Sequence, residues 1–266
     1  MPRRWGQHYL RYRHIAHRMV DWADFLPDRP VLEIGPGPGM LTAVLLERGY
    51  EVVAVEIDPR WVQTLRRRWG DARLHVVHGD ILRMDWQRTF PARATCAGPF
   101  GIIGNIPYQI SGPLVARLMR YPTFWYRVVW MVQREFGERL AAVPGTPDYG
   151  ALSVLVQLLW HIRLGMRISP SAFRPPPRVE SVLVRMDPLP RVHAAARTDA
   201  FQRFVRAAFR HRRKTLVNSL RAHLSDAEME RLIDALSRLG WSTRARAEQI
   251  PPGDWLRLWE SVRGRI

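Results

Sequence analysis

Asn105-Ile106-Pro107-Tyr108 follows an apolar run, 100–104, that reads as a buried strand. An Asn, a Pro and an aromatic at the C-terminal end of a strand suit methyl transfer to a planar exocyclic amine. The lone pair of such an amine is delocalised into its ring, so the amine is a poor nucleophile. Two acceptors, the Asn side-chain carbonyl and the Ile106 or Pro107 backbone carbonyl, can grip its N–H groups and turn the lone pair outward. Pro107 fixes φ and has no N–H of its own, and Tyr108 offers a face on which a base can stack. A Pro–Tyr pair after a strand is more often an ordinary turn, so these residues take their meaning from the rest of the chain.

Three further signals sit at strand ends. A short apolar run, 31–34, leads into Gly35-Pro36-Gly37-Pro38-Gly39, where glycines let a backbone approach a ligand closely. The spacing G-x-G-x-G differs from the dinucleotide G-x-G-x-x-G. Glu56 closes the next strand, where an acid can accept both hydroxyls of a ribose, and Asp80 follows the third, where it can accept from an adenine amino group. The ordered set Gly35, Gly37, Glu56, Asp80 and Asn105 describes a site for an adenosine-type methyl donor beside an amine-gripping turn. No His, Cys, Asp or Glu spacing resembles a metal site, so no metal is expected.

The elements that must position these residues alternate. Strands are expected over 31–34, 51–55, 74–77, 101–104 and 127–132, with helices over 40–48, 59–70, 111–120, 135–143 and 151–160. Two more strands, 162–168 and 179–186, finish the sheet, with an antiparallel direction open to them. The pattern argues a doubly wound, mostly parallel α/β sheet of seven strands. Beyond about 188 only helical periodicity remains, so domains are expected at 1–188 and 189–266, the second small and all-helical.

With 41 Lys and Arg against 24 Asp and Glu, the net charge is +17. That excess favours a polyanionic partner, nucleic acid above all. The basic N-terminal run, with Arg3, Arg4 and Arg11, suits RNA phosphates. The stretch 197–223, where Arg210, Arg212, Arg213 and Lys214 cluster and Asp199 is the only acid, reads as a second patch that tracks phosphates. No apolar run is long enough to span a membrane. The start has no apolar targeting segment and Cys96 is the only cysteine, so a cytoplasmic chain without an intrachain disulfide is expected.

The set resembles the class I S-adenosylmethionine-dependent methyltransferases, and more closely the rRNA adenine N6-dimethyltransferase (KsgA-type) family. Gly6-Gln7-His8-Tyr9-Leu10 is similar to the family's G-Q-N-F-L, with His8 and Tyr9 departing from it. The resemblance continues through 104–111, 133–136, 148–153, the Phe173-Arg174-Pro175-Pro176-Pro177-Arg178-Val179-Glu180-Ser181 segment and His211-Arg212-Arg213-Lys214-Thr215-Leu216. It implies a Rossmann-like methyltransferase domain with S-adenosylmethionine between Gly35/Gly37, Glu56 and Asp80. The donor's methionine part would pass under residues 7–10, with contacts from His8, Leu10 and Asn105. It also implies a target adenine held by Asn105 and stacked between Tyr108 and Phe173. The implied activity is N6,N6-dimethylation of two adjacent adenosines near the 3′ end of small-subunit rRNA, by a monomer working in ribosome biogenesis on the assembling small subunit. A large-subunit or monomethylating enzyme, a DNA adenine methyltransferase and a non-enzymatic nucleic-acid-binding factor remain open at this level, although N-P-P-Y or D-P-P-Y is more usual in DNA enzymes.

Overall fold

Apolar, β-branched stretches form the sheet. In the computed structural model, which describes residues 7–70, 73–90 and 98–264, strands run over Tyr9–Leu10 (β1), Val31–Ile34 (β2), Val52–Glu56 (β3), Leu74–His78 (β4), Phe100–Asn105 (β5), Trp125–Gln133 (β6), Trp160–Ile168 (β7), Phe173–Arg174 (β8) and Ser181–Pro188 (β9). Helices run over Arg13–Ala23 (α1), Met40–Glu47 (α2), Pro59–Arg68 (α3), Trp86–Thr89 (α4), Ser111–Arg120 (α5), Arg134–Ala141 (α6), Ala151–Gln157 (α7), Asp199–Ala208 (α8), Leu216–Leu220 (α9), Asp226–Arg238 (α10) and Pro252–Arg263 (α11). Arg3, Arg4 and Cys96 lie outside the described residues.

Seven strands form one sheet in the order β4-β3-β2-β5-β6-β9-β7. The pairs β3/β4, β2/β3, β2/β5 and β5/β6 are parallel, and β9 runs antiparallel to β6, as expected for the final strands. Every residue of β2 and β3 is buried, which explains why they read as continuous apolar runs rather than alternating ones. Strand order reverses between β2 and β5, the switch point where open α/β sheets bind ligands.

The helices start where the sequence supplies caps. Asp58 accepts from the Arg60 N–H at 3.0 Å ahead of Pro59, and Ser225 with Glu228 forms a capping box at α10. Helix α1 and the two-stranded β1/β8 ribbon are additions to the expected elements. The expected helix over 151–160 ends earlier, at Gln157.

Two compact units emerge: Met1–Gly137 with Arg163–Asp187, and Glu138–Ile162 with Pro188–Ile266. The expected division at 188/189 therefore differs by the segment 138–162. Within the second unit, Tyr149 Oη donates to the Ile250 carbonyl at 2.8 Å, Ser153 Oγ to Arg139 O at 2.6 Å, and Gln157 Nε2 to Leu140 O at 2.9 Å. These bonds tie 138–162 to its own unit, whose centre is formed by Phe201, Phe204 and Trp255.

In the first unit, Glu33 is 1% exposed and accepts from Thr42 Oγ1 at 2.6 Å. Burial drives its carboxyl from 4.5 up to about 8. The folded chain thus keeps a proton that the unfolded chain has released across that interval, so stability falls as pH rises from 4.5 to about 8. Glu33→Gln is expected to flatten this fall, measured as thermal midpoints across the same interval.

Candidate active site

The C-terminal ends of β2, β3, β4 and β5 border a cavity of about 640 Å³ within the first unit. Gly35 and Gly37 have φ of +67° and +54°, a region L side chains avoid. A Cβ at Gly37 would also lie 2.7 Å from the Tyr9 ring, which covers the glycine turn. Glu56 is 2% exposed. Its Oε2 accepts from Gly37 N at 2.9 Å, and its Oε1 from Ile57 N and Asp58 N at 2.9 and 2.8 Å. Burial raises its pKa, and these three N–H groups oppose that rise. Each carboxylate oxygen has further lone-pair capacity for a hydroxyl donor. Asp80 also borders the cavity and is held by Leu82 N at 2.9 Å.

Asn105 closes β5. Its Nδ2 donates to the His8 carbonyl at 2.6 Å, which commits the amide's donor end to the chain and leaves Oδ1 as the acceptor that a ligand amine needs. Pro107 O accepts from Ile110 N at 3.0 Å. Tyr108 Oη and Ser181 Oγ share a hydrogen bond at 2.9 Å, and the His8 ring stacks on Tyr108 at 5.7 Å and 29°. The His8 Nδ1 lies 2.7 Å from Pro175 O. His8, Tyr9, Gly35, Gly37, Glu56, Asp80, Asn105, Pro107 and Tyr108 therefore border one cavity.

Two expected site residues do not. Phe173 is 1% exposed and Leu10 7%, and both sit in the apolar core, so Phe173 is not the second stacking face for a base in this structure. The β1/β8 ribbon explains it. Register pairs Leu10 with Phe173 and Tyr9 with Arg174, and adjacent pairs on a ribbon point to opposite sides. The two apolar partners turn into the core together. Arg212 also differs from a simple phosphate contact. Its guanidinium bonds to the Pro147 carbonyl and lies 3.8 Å from Glu248. Arg11, Arg210, Arg213 and Lys214 are exposed, and among the described residues none has an acidic partner.

Sequence reasoning gave no role to Trp61 or Ser181, and gave Tyr9 only a place in the 7–10 segment over the donor. Trp61 Nε1 donates to Tyr9 Oη at 2.8 Å, which latches residues 7–10 across the glycine turn. The one available signal was an aromatic directly beside His8 in the resembling segment.

A family model described as Ribosomal RNA adenine dimethylase matches residues 2–263. The chain belongs to that family. It is 40% identical to Ribosomal RNA small subunit methyltransferase A of Thermosynechococcus vestitus, covering 98% of this chain and 96% of that one. Among solved structures, a dimethyladenosine transferase from Plasmodium falciparum matches with a TM-score of 0.79 at 26% identity, covering 94% of this chain and 96% of the other. The 23S rRNA methyltransferase ErmE matches at 0.72 and 28%, covering 96% and 100%. For this member of the adenine dimethylase family, Ser181→Ala is expected to lower kcat for RNA several-fold, because Tyr108 loses its fixed hydroxyl. Affinity for S-adenosylmethionine should stay unchanged, and calorimetry beside single-turnover assays reads both.

Proposed function

We propose that the chain transfers methyl groups from S-adenosylmethionine to N6 of two adjacent adenosines in a hairpin near the 3′ end of small-subunit rRNA, during ribosome biogenesis in the cytoplasm. The observation that carries this reading is the orientation of Asn105. The His8 carbonyl takes one of its two N–H groups, which leaves Oδ1 as the free acceptor of a residue that borders the same cavity as Glu56 and the glycine turn.

The cavity fits the donor. Gly37 provides a surface without a side chain, Glu56 can accept the ribose hydroxyls, and Asp80 can accept the adenine amino group. Bound S-adenosylmethionine supplies a methyl group on a sulfonium, already activated for transfer. The residues must then aim the nucleophile. Asn105 Oδ1 holds one N6 hydrogen. The Ile106 carbonyl is the better second acceptor, since Pro107 O is engaged by Ile110. With both N–H groups held, the N6 lone pair points at the methyl carbon. The N6–CH3 bond would form as the S–CH3 bond of bound S-adenosylmethionine breaks, and the acidified N6 would then lose a proton to solvent. The monomethyl product keeps one N–H for one acceptor, so a second transfer would proceed with one of the two contacts retained. Tyr108 stacks on the extruded base and recovers part of the unstacking cost.

The test is mass spectrometry of adenines from small- and large-subunit particles incubated with the chain and labelled S-adenosylmethionine. Dimethyladenosine in the small-subunit rRNA is expected. Label confined to large-subunit rRNA or to DNA would overturn the reading. In the helical unit, Arg213→Ala and Lys214→Ala should each make the salt dependence of RNA binding shallower by about 0.7–0.9 in log–log slope, the release expected per phosphate contact. Titrations at several salt concentrations measure it.

A further inference from the structure

A second cleft opens on the β1/β8 ribbon. It measures about 530 Å³ and is lined by Arg11, Ser171, Phe173, Arg174 and Pro176. The two clefts share a boundary, because His8 of the active-site cavity bonds through Nδ1 to the carbonyl of Pro175, the residue between Arg174 and Pro176. Arg11 and Arg174 are exposed and lack acidic partners among the described residues. Pro176 gives the cleft an apolar wall, Phe173 borders it only from within the core, and Ser171 adds a hydroxyl that already lies 3.0 Å from Ser169 Oγ. Two guanidiniums beside a partly apolar hollow match a nucleotide: charge for phosphates, the Pro176 wall for a base or sugar.

Resting on the function proposed above, we infer that this cleft is a subsite for the nucleotide adjacent to the reacting adenosine in the RNA strand. The strand must cross the ribbon to deliver its extruded base to Asn105. The residue next to that base then lies over Arg11 and Arg174, and its docking fixes which adenine enters. The Arg11 backbone N–H donates to Ala172 O at 2.9 Å, so the guanidinium sits on an anchored stretch rather than a free tail.

The test uses the full chain and small-subunit particles. Arg174→Ala and Arg11→Ala are expected to raise KM for particles about 10-fold each, leaving S-adenosylmethionine affinity unchanged. Ser171→Trp fills the hollow without removing charge and is expected to lower kcat/KM for particles by about 10-fold or more, again with cofactor binding intact. Full activity in Ser171→Trp overturns the subsite, because the arginines would then only track phosphates. Full activity in both arginine variants overturns it as well. Failure of the unaltered chain to methylate particles would instead overturn the underlying function and this inference with it.

Discussion

Asn105→Ala is expected to bind S-adenosylmethionine with near-normal affinity and to lose methyl transfer by about 100-fold or more, the scale of removing one preorganised polar contact. The Asn105 side chain makes two distinct commitments. Nδ2 donates to the His8 carbonyl, and Oδ1 is the group that the proposed function sets against the target amine. Alanine removes the acceptor and leaves the N6 lone pair in conjugation with its ring. Asn105→Asp is the sharper variant. It retains an acceptor but exchanges the donor toward His8 for a second acceptor, so two oxygens face each other and the aim is lost. Calorimetry for the cofactor and single-turnover transfer to particles separate the two effects. Near-normal turnover by Asn105→Ala would remove the amine-gripping mechanism.

Glu56→Ala is expected to weaken S-adenosylmethionine binding by about 100-fold, since hydrogen bonds to a charged acceptor contribute about 1.5–3 kcal/mol each. The loss has a second source. Three backbone N–H groups, from Gly37, Ile57 and Asp58, converge on this carboxylate. Without it they lose their partner at the cavity wall, and the glycine turn keeps only its backbone bond from Gly35 N to Val55 O as a tie to β3. Glu56→Gln keeps the shape but turns an NH2 toward one of those donors, so it should fall between the two. Because burial raises the pKa of Glu56, protonation sets in at a higher pH than for an ordinary carboxyl. Acidification should therefore weaken cofactor binding in the unaltered chain before it does so in Glu56→Gln. Calorimetric titration at stepped pH reads that difference. Equal affinity for Glu56→Ala and the unaltered chain would sink the ribose assignment.

Much of the site was legible because its signals are local. Gly35, Glu56, Asp80 and Asn105 each stand at or just past the C-terminal end of an apolar run, and parallel strand order brings those ends together. Strands β2, β3 and β5 were readable because they are buried almost throughout. Burial on both faces writes itself as unbroken Val, Ile and Leu. What stayed hidden depends on partners far along the chain. Two-residue strands carry no period, so the β1/β8 ribbon left no trace, and only its register reveals that Leu10 and Phe173 face inward. The segment 138–162 looks like any α/β helix until Tyr149 meets Ile250 about a hundred residues later. Arg212 shows the same limit, since a guanidinium that ties down a loop has the same sequence appearance as one waiting for phosphate.

The bond from Asn105 to His8 has a consequence for the two ligands together. Residues 7–9 and Asn105 border the cavity together, and the proposed function sets the donor against the first group and the target adenine against Asn105. A donor that steadies the first group steadies the orientation of the second, and an adenine gripped by Asn105 steadies residues 7–10 in return. Thermodynamic reciprocity then requires each ligand to tighten the other by the same factor. The chain would hold methyl donor and RNA more firmly as a pair than separately, and would discard both more readily once either is gone.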